Sequence, residues 1–530
     1  MNSKKTVSIS LVFLIIVFVK SQSTYKAAVV EFSPRISAYN PQDLLLENAA
    51  FYVDYIENAA ELGVEIIVFP EDGLTGLNIW TADVTFESIA KYSTFVPEIK
   101  DEIAPCDYSS VNYYAKALID LSCSARTNGI YTVINVLEKS FSSDNSTFLY
   151  NTDVVFDRNG VVIAKYRKVN LFNEAFVTPG NTTVTFQTDF GVTFAIFTCF
   201  DILFKNPSVD VLTDTISDVI YPVAWFSEVP FLQALSIQAG YAKANGVNLL
   251  ASGLSNATNG NGGSGIYLAN GTITETYISA VSASKMIIQD VPILPKRQSS
   301  CHENMSTVSG IASQHASYSI GGLSLFKLMV EDLSNYTTHS LNLTQNYSST
   351  TICSEGSSFC CTFNVTINLD TASATNVVYK LVAFNGNRKL GTSTSGNQIC
   401  GVVACLTDDI LSCGQIRTLG SMIGVKFNSI IITGNFVNAP AGHTLPSTLT
   451  FSLTPIQNYR YCRTSGINEA QVNMNLTSPH DSIFAFGIFG RSFKRDGGSV
   501  GRSIATFNTI CTVSVFFLTV LTVLQQKIIS

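Results

Sequence analysis

Between Tyr25 and about residue 290, short apolar runs of strand length alternate with longer stretches whose apolar residues recur at helical spacing. That alternation restricts this part of the chain to a layered α/β fold. Ala28–Phe32 reads as a first strand, and Pro41–Leu62 as a helix stopped by Gly63. Val64–Phe69 is apolar apart from Glu65, as a strand buried on both faces requires. A helix is expected from Val111 to Thr127, ending at Asn128-Gly129, with a strand over Ile130–Leu137. Turn signals at Asp157-Arg158-Asn159-Gly160 and Asp189-Phe190-Gly191 predict two hairpins, so the sheet is mixed. A strand at Asp218–Pro222, a helix at Pro230–Asn245 and a strand at Val247–Ser252 complete the series. The Gly-rich Asn259-Gly260-Asn261-Gly262-Gly263 reads as a mobile loop rather than a phosphate cradle.

The pattern changes near residue 295. Ser299–Phe363 is rich in Ser, Thr and Asn, and β-like runs follow at Val377–Phe384, Ile430–Phe436 and Thr448–Leu453. The expected organisation is an α/β domain over 24–294 and a smaller β-rich, disulfide-bonded domain over 295–495. Cysteine usage supports the second. Apart from Cys199 and Cys511, ten cysteines remain, and eight of them lie beyond residue 300.

Both ends of the chain point to the secretory route. Lys4 and Lys5, an apolar run from Val7 to Val19 and the small residues Ser21 and Ser23 predict a signal peptide over 1–23. Gly497-Gly498-Ser499, a polar spacer and the apolar run Phe507–Leu524 predict a glycolipid-anchor signal or a transmembrane helix over 496–530. Only 13% of residues are charged, about half the share of an ordinary soluble domain. Asn-x-Ser/Thr sequons at Asn145, Asn181, Asn256, Asn270, Asn304, Asn335, Asn342, Asn346, Asn364 and Asn475 offer N-linked glycans to solubilise such a surface. A net charge of −7 without any Lys/Arg cluster argues against a nucleic-acid partner.

Three segments place a reactive side chain just after an apolar strand, where open α/β sheets gather ligands. They are Ile66-Ile67-Val68-Phe69-Pro70-Glu71-Asp72-Gly73, Val162–Glu174 with Lys168 at its centre, and Val192–Asp201 with Cys199. Each alone has a bland reading: a turn acid, a solvated basic strand end, and a core or disulfide cysteine. All five histidines, His302, His315, His339, His443 and His480, lie outside the α/β domain. That argues against a Cys–His protease site and a His-based metal centre, and no metal or cofactor motif is present.

In this order the three segments resemble the nitrilase (carbon–nitrogen hydrolase) superfamily, whose signature is a Glu–Lys–Cys triad on an α-β-β-α sandwich. The match extends to its vanin and biotinidase branch. Phe69-Pro-Glu-Asp-Gly73, Lys168-Val-Asn-Leu-Phe172, Phe197-Thr-Cys-Phe-Asp-Ile-Leu-Phe204, Tyr221-Pro-Val-Ala-Trp225 and Gly263-Ser-Gly-Ile-Tyr267 carry it. The resemblance implies Cys199 as nucleophile, Glu71 as general base and Lys168 as oxyanion partner, with a backbone N–H near residue 200. Glu174 matches a second glutamate that positions Lys or substrate. A small linear amide is then the expected substrate, hydrolysed through a thioester at the cell surface or after secretion. Pantetheine, cleaved to pantothenate and cysteamine, is the first expectation, and biocytin the second. An inactivated hydrolase fold serving as a surface binding protein is the third.

Overall fold

The computed structural model describes residues 23–497, apart from 82, 109–112, 300, 302–325, 392 and 417–421. The expected leader up to residue 22, the tail from 498 and the sequon at Asn304 lie outside the described residues. Among the described residues no helix is long and apolar enough to cross a membrane.

The first strand, β1 (Thr24–Glu31), is buried at every position from Ala27 onward, and its side chains divide between two cores. Ala27 and Val29 face one hydrophobic cluster, Ala28 and Val30 another. A strand with apolar residues on both faces needs a covering layer on each side. On one side these are α1 (Pro41–Glu61) and, after β2 (Ile66–Val68) and the short α2 (Phe86–Ala90), α3 (Lys116–Asn128). Leu45, Ala49, Tyr52, Ile56 and Ala59 form the buried stripe of α1, at the three- and four-residue spacing of an amphipathic helix. Asn40 caps that helix by accepting from the Asp43 N–H at 3.0 Å.

The chain continues through β3 (Tyr131–Phe141), β4 (Thr147–Phe156), β5 (Val162–Arg167), β6 (Val184–Gln187), β7 (Thr193–Ile196) and β8 (Asp218–Val223). Next come β9 (Glu228–Val229), α4 (Ala234–Asn245), β10 (Asn248–Gly253), β11 (Ser264–Tyr267), β12 (Ile273–Tyr277) and β13 (Lys285–Pro292). One six-stranded sheet has the order β13-β1-β2-β3-β4-β5, the other β12-β11-β10-β8-β7-β6. Parallel pairs lie at the centre of each, β1-β2-β3 and β7-β8-β10, with antiparallel strands outside them. The shared core contains Val68 and Val133 from one sheet with Phe194, Ile220 and Leu249 from the other. With α1 and α3 outside one sheet and α4 outside the other, the layers are α-β-β-α.

Two expected helices begin later than their sequence pattern suggests. Tertiary contacts set the start of α3 at Lys116: the Thr94 hydroxyl accepts the Ala115 N–H at 2.9 Å, and Tyr113 stacks on Phe95. Before α4 the chain folds back on itself through reciprocal Glu228–Leu232 backbone bonds, and Gln233 then caps Ser236. The Gly-rich loop is also corrected, because it is a buried, bonded element. Asn261 is 1% exposed and donates to the Ala224 carbonyl at 3.0 Å, while Gly263 N–H donates to Glu31.

Glu31 joins the two sheets. Its carboxyl accepts from Gly263 N–H at 3.1 Å and from the Ser264 hydroxyl at 2.5 Å. Burial pushes this acid up to about 8, against the opposing bonds from Ser264 and Gly263. A carboxyl raised in the folded state holds its proton after the unfolded chain has released it. Stability from Glu31 is therefore complete below pH 4.5 and is lost as pH rises toward 8. The slope is at most about 1.4 kcal/mol per pH unit. Glu31→Gln should flatten the fall in urea midpoint between pH 5 and pH 8, and an unchanged slope would refute this assignment.

Beyond β13 the described chain is mostly strand, in two five-stranded antiparallel sheets with a core of their own. The expected strand at Thr448–Leu453 is instead Gly442–Thr450, followed by a turn at Leu453, whose φ is 61°. Its neighbours explain the shift, since the whole Gly442–Thr450 edge pairs with Ile483–Ser492. All ten expected cysteines pair: 106–123, 301–462, 353–360, 361–400 and 405–413. This β-rich part covers the outer face of α4. Small residues allow the approach: the Ser447 hydroxyl donates to Phe231 O at 2.8 Å, and Gly240 lies directly against the Pro446 carbonyl.

Candidate active site

The three sequence-predicted residues come from the ends of β2, β5 and β7, and the structure brings them together. Glu71 follows β2 by three residues. The chain turns there through Asp72, at φ 55°, held by its N–H on Asn135 Oδ1 at 3.0 Å and by Trp80 Nε1 on Oδ2 at 3.1 Å. Lys168 follows β5 directly, fixed by backbone bonds from its own N–H to Asn151 O and from Gly180 N–H to Lys168 O, each 2.8 Å. Cys199 follows β7 at φ 47°, a left-handed conformation that a non-glycine residue adopts only under constraint.

That constraint is visible. Tyr221 Oη donates to the Cys199 carbonyl at 2.7 Å. On the N-terminal side, Thr198 N–H donates to Asp201 Oδ2 and the Thr198 hydroxyl to Asp153 Oδ2 at 2.5 Å. Asp201 also accepts from Tyr166 Oη at 2.6 Å and from Asn170 N–H and Nδ2, both at 2.8 Å. The turn bearing Cys199 and the loop after Lys168 are thus tied to one carboxylate.

At the centre, Lys168 Nζ donates to Glu71 Oε1 at 2.6 Å and to Glu174 Oε1 at 2.9 Å. All three side chains are at most 4% exposed. Asn151 Nδ2 bridges the same two carboxylates at 2.9 and 2.6 Å, and its Oδ1 accepts from Asn135 at 2.7 Å. The second oxygen of Glu71 accepts the Ala224 N–H at 2.9 Å. Glu174 is placed by the Phe172 N–H on its Oε2 at 2.7 Å.

Charge balance decides where protons sit. Burial disfavours the Lys168 ammonium, but Glu174 and Glu71 outweigh it and hold the amine well above its ordinary value. One ammonium cannot neutralise Glu71, Asp72 and Glu174 together. Asp72 is accordingly pushed well up, by burial first and then by the Glu71 and Glu174 charges. Burial also raises Glu174, against the pull of Lys168. Cys199 is the free cysteine among the described residues. Burial, then the Glu71 charge, pushes its thiol well above the ordinary range, so it rests as a neutral thiol beside a carboxylate. Such an arrangement can generate a thiolate as proton transfer to the adjacent acid proceeds, with a fixed cation nearby for a developing oxyanion.

Sequence reasoning did not single out Asn135, Asn151 or Asp153, and it met Tyr221 only as the first residue of the Tyr221–Trp225 motif, with no role assigned. A signal existed for three of them. Asn135 and Asp153 lie opposite each other on β3 and β4, and Asn151 follows the same two-residue alternation. Polar side chains on the same inward face as the core residues Val133 and Val155 mark a built network.

Residues 26–288 match the carbon-nitrogen hydrolase family, and residues 326–496 match the Vanin C-terminal domain. Vanin-like protein 1 of Drosophila melanogaster is 32% identical over 508 residues, covering 89% of this chain and 86% of that protein. Pantetheinase of Homo sapiens is 29% identical over 439 residues, covering 78% and 80%. Biotinidase of Mus musculus is 38% identical over 266 residues, covering 46% and 50%.

Proposed function

From the premise that this chain belongs to the carbon–nitrogen hydrolase family, in its vanin branch, and hydrolyses C–N amide bonds, we propose that its substrate is pantetheine. The products are pantothenate and cysteamine. The observation that carries the reading is the contact of Lys168 Nζ with Glu71 Oε1 at 2.6 Å, beside the free Cys199 thiol. Pantetheine is preferred to biocytin because the match to pantetheinase covers 78% of the chain, whereas the match to biotinidase covers 46%.

In the proposed reaction the Cys199 proton passes to Glu71 as sulfur attacks the amide carbon. Lys168 and a backbone N–H of the turn at residue 200 stabilise the oxyanion. Glu71 then returns the proton to the departing amine, leaving an acyl thioester. A water molecule loses its proton to Glu71 and attacks the thioester; the C–S bond breaks, the acid departs and Glu71 returns the proton to the Cys199 sulfur. Glu174 and Asn151 hold the Lys168–Glu71 pair in register.

Placement outside the cell, secreted or lipid-anchored, belongs to the same proposal. Five disulfides suit an oxidising compartment. None of the nine described sequon asparagines is buried, so each can carry a glycan. The test is turnover of pantetheine beside biocytin by purified protein. Cysteamine release with at least tenfold preference over lysine release from biocytin is expected. The reverse preference would replace pantetheine, and no turnover of either would favour the binding-protein reading.

A further inference from the structure

A hairpin of the β-rich half reaches the loop that carries Glu174. Strand Val378–Leu390 pairs with Ser393–Cys405 up to the Leu390–Ser393 pair, and Gly391 in the turn has φ 59°. A Cβ built on Gly391 would lie 2.8 Å from Phe172 Cε2, 3.2 Å from Cδ2 and 3.3 Å from Asn173 Nδ2. The Phe172 ring packs at 5.1 Å against Phe200, the residue after Cys199, and at 5.7 Å against Phe226, two residues beyond Ala224. One aromatic group therefore touches the hairpin tip, the nucleophile turn and the segment whose N–H holds Glu71.

The hairpin is anchored where it meets the α/β half. Arg388 is 10% exposed and donates to Glu228 Oε2 at 2.7 Å, while its other terminal nitrogen lies 3.2 Å from Glu331 Oε2. Backbone bonds of 2.9 Å from Met329 N–H to Ser227 O and from Glu331 N–H to Val229 O hold the same segment. This buried ion pair lies three residues before Gly391.

We propose that Gly391 is a specificity-determining residue: by leaving room for the Phe172 ring it sets the width of the substrate pocket beside Cys199. This rests on the amide-hydrolase reading of that site. A methyl group at 391 moves the ring toward Phe200 and Phe226 and narrows the pocket. Bulky acyl groups should suffer more than small ones, by roughly tenfold per methyl-sized change.

The test compares wild type, Gly391→Ala and the double variant Gly391→Ala with Phe172→Leu. One readout is kcat/KM for pantetheine against propionamide. The other is the rate of Cys199 alkylation by N-phenylmaleimide against iodoacetamide, which needs no turnover. Gly391→Ala should lower both ratios about tenfold, mainly through KM in the first, and the Phe172→Leu change should restore them. Ratios within twofold of wild type in Gly391→Ala, or no recovery in the double variant, overturn the proposal. A wild-type protein that is alkylated but hydrolyses neither amide contradicts the hydrolase reading, while the alkylation ratio still tests the pocket claim.

Discussion

Cys199→Ala is expected to lose amide hydrolysis by at least roughly 10⁴-fold while its fold and melting temperature stay close to wild type. The loss is large because no other described cysteine is free. No histidine lies between residues 25 and 290 to activate water in its place. The fold should tolerate the change because Cys199 is held by its backbone, through Tyr221 Oη and the Thr198–Asp201 bonds. Removing a small sulfur leaves those contacts intact. Kinetics with pantetheine and a thermal melt on the same preparation check both halves. Residual activity within tenfold of wild type would remove Cys199 from the mechanism.

Lys168→Met should harm activity and stability together. Loss of one oxyanion donor costs about 10²–10³ in rate. The larger effect is on the charges left behind. Glu71 and Glu174 share this one ammonium, at 2.6 and 2.9 Å, in a site almost closed to water. Deleting one partner of a buried ion pair typically costs about 3–5 kcal/mol. Glu174, already raised by burial, should then hold its proton to still higher pH. A fall of about 10²–10³ in kcat/KM is expected, with a clear drop in urea midpoint. Lys168→Arg should not restore activity, since a planar guanidinium cannot take the place of a compact ammonium between two carboxylates. Wild-type stability in Lys168→Met would contradict the charge account given for this site.

Much of the α/β half is legible in the sequence because each buried strand announces itself as a mainly apolar run. Val64–Phe69 and Ile130–Leu137 are such runs, and Gly63 and Gly129 mark the helix ends before them. Helix starts are less legible where tertiary contacts fix them, as Thr94 and Phe95 do for α3. The Gly263 loop misleads for a related reason: its composition reads as mobile, but its N–H is bonded to Glu31, 232 residues away. Glu71, Lys168 and Cys199 stand out because each follows a strand, and motif resemblance links them. Glu174 is suggested by the family resemblance, and geometry puts it on the same ammonium. Asn151 and Asp153 are hidden because a polar residue in a strand ordinarily faces water, and only the second sheet makes their face an interior. No local pattern reveals Gly391, whose relation to Phe172 exists only after two halves of the chain have packed.

The central claim is that amide cleavage passes through a covalent thioester on Cys199. Acid-quenched samples of enzyme turning over pantetheine, digested and weighed by mass spectrometry, test it most directly. The account predicts a pantothenoyl group on the peptide containing Cys199, absent from Cys199→Ala. Sustained cysteamine release with no acyl group on that peptide at any quench time, and with Cys199→Ala still active, would contradict it.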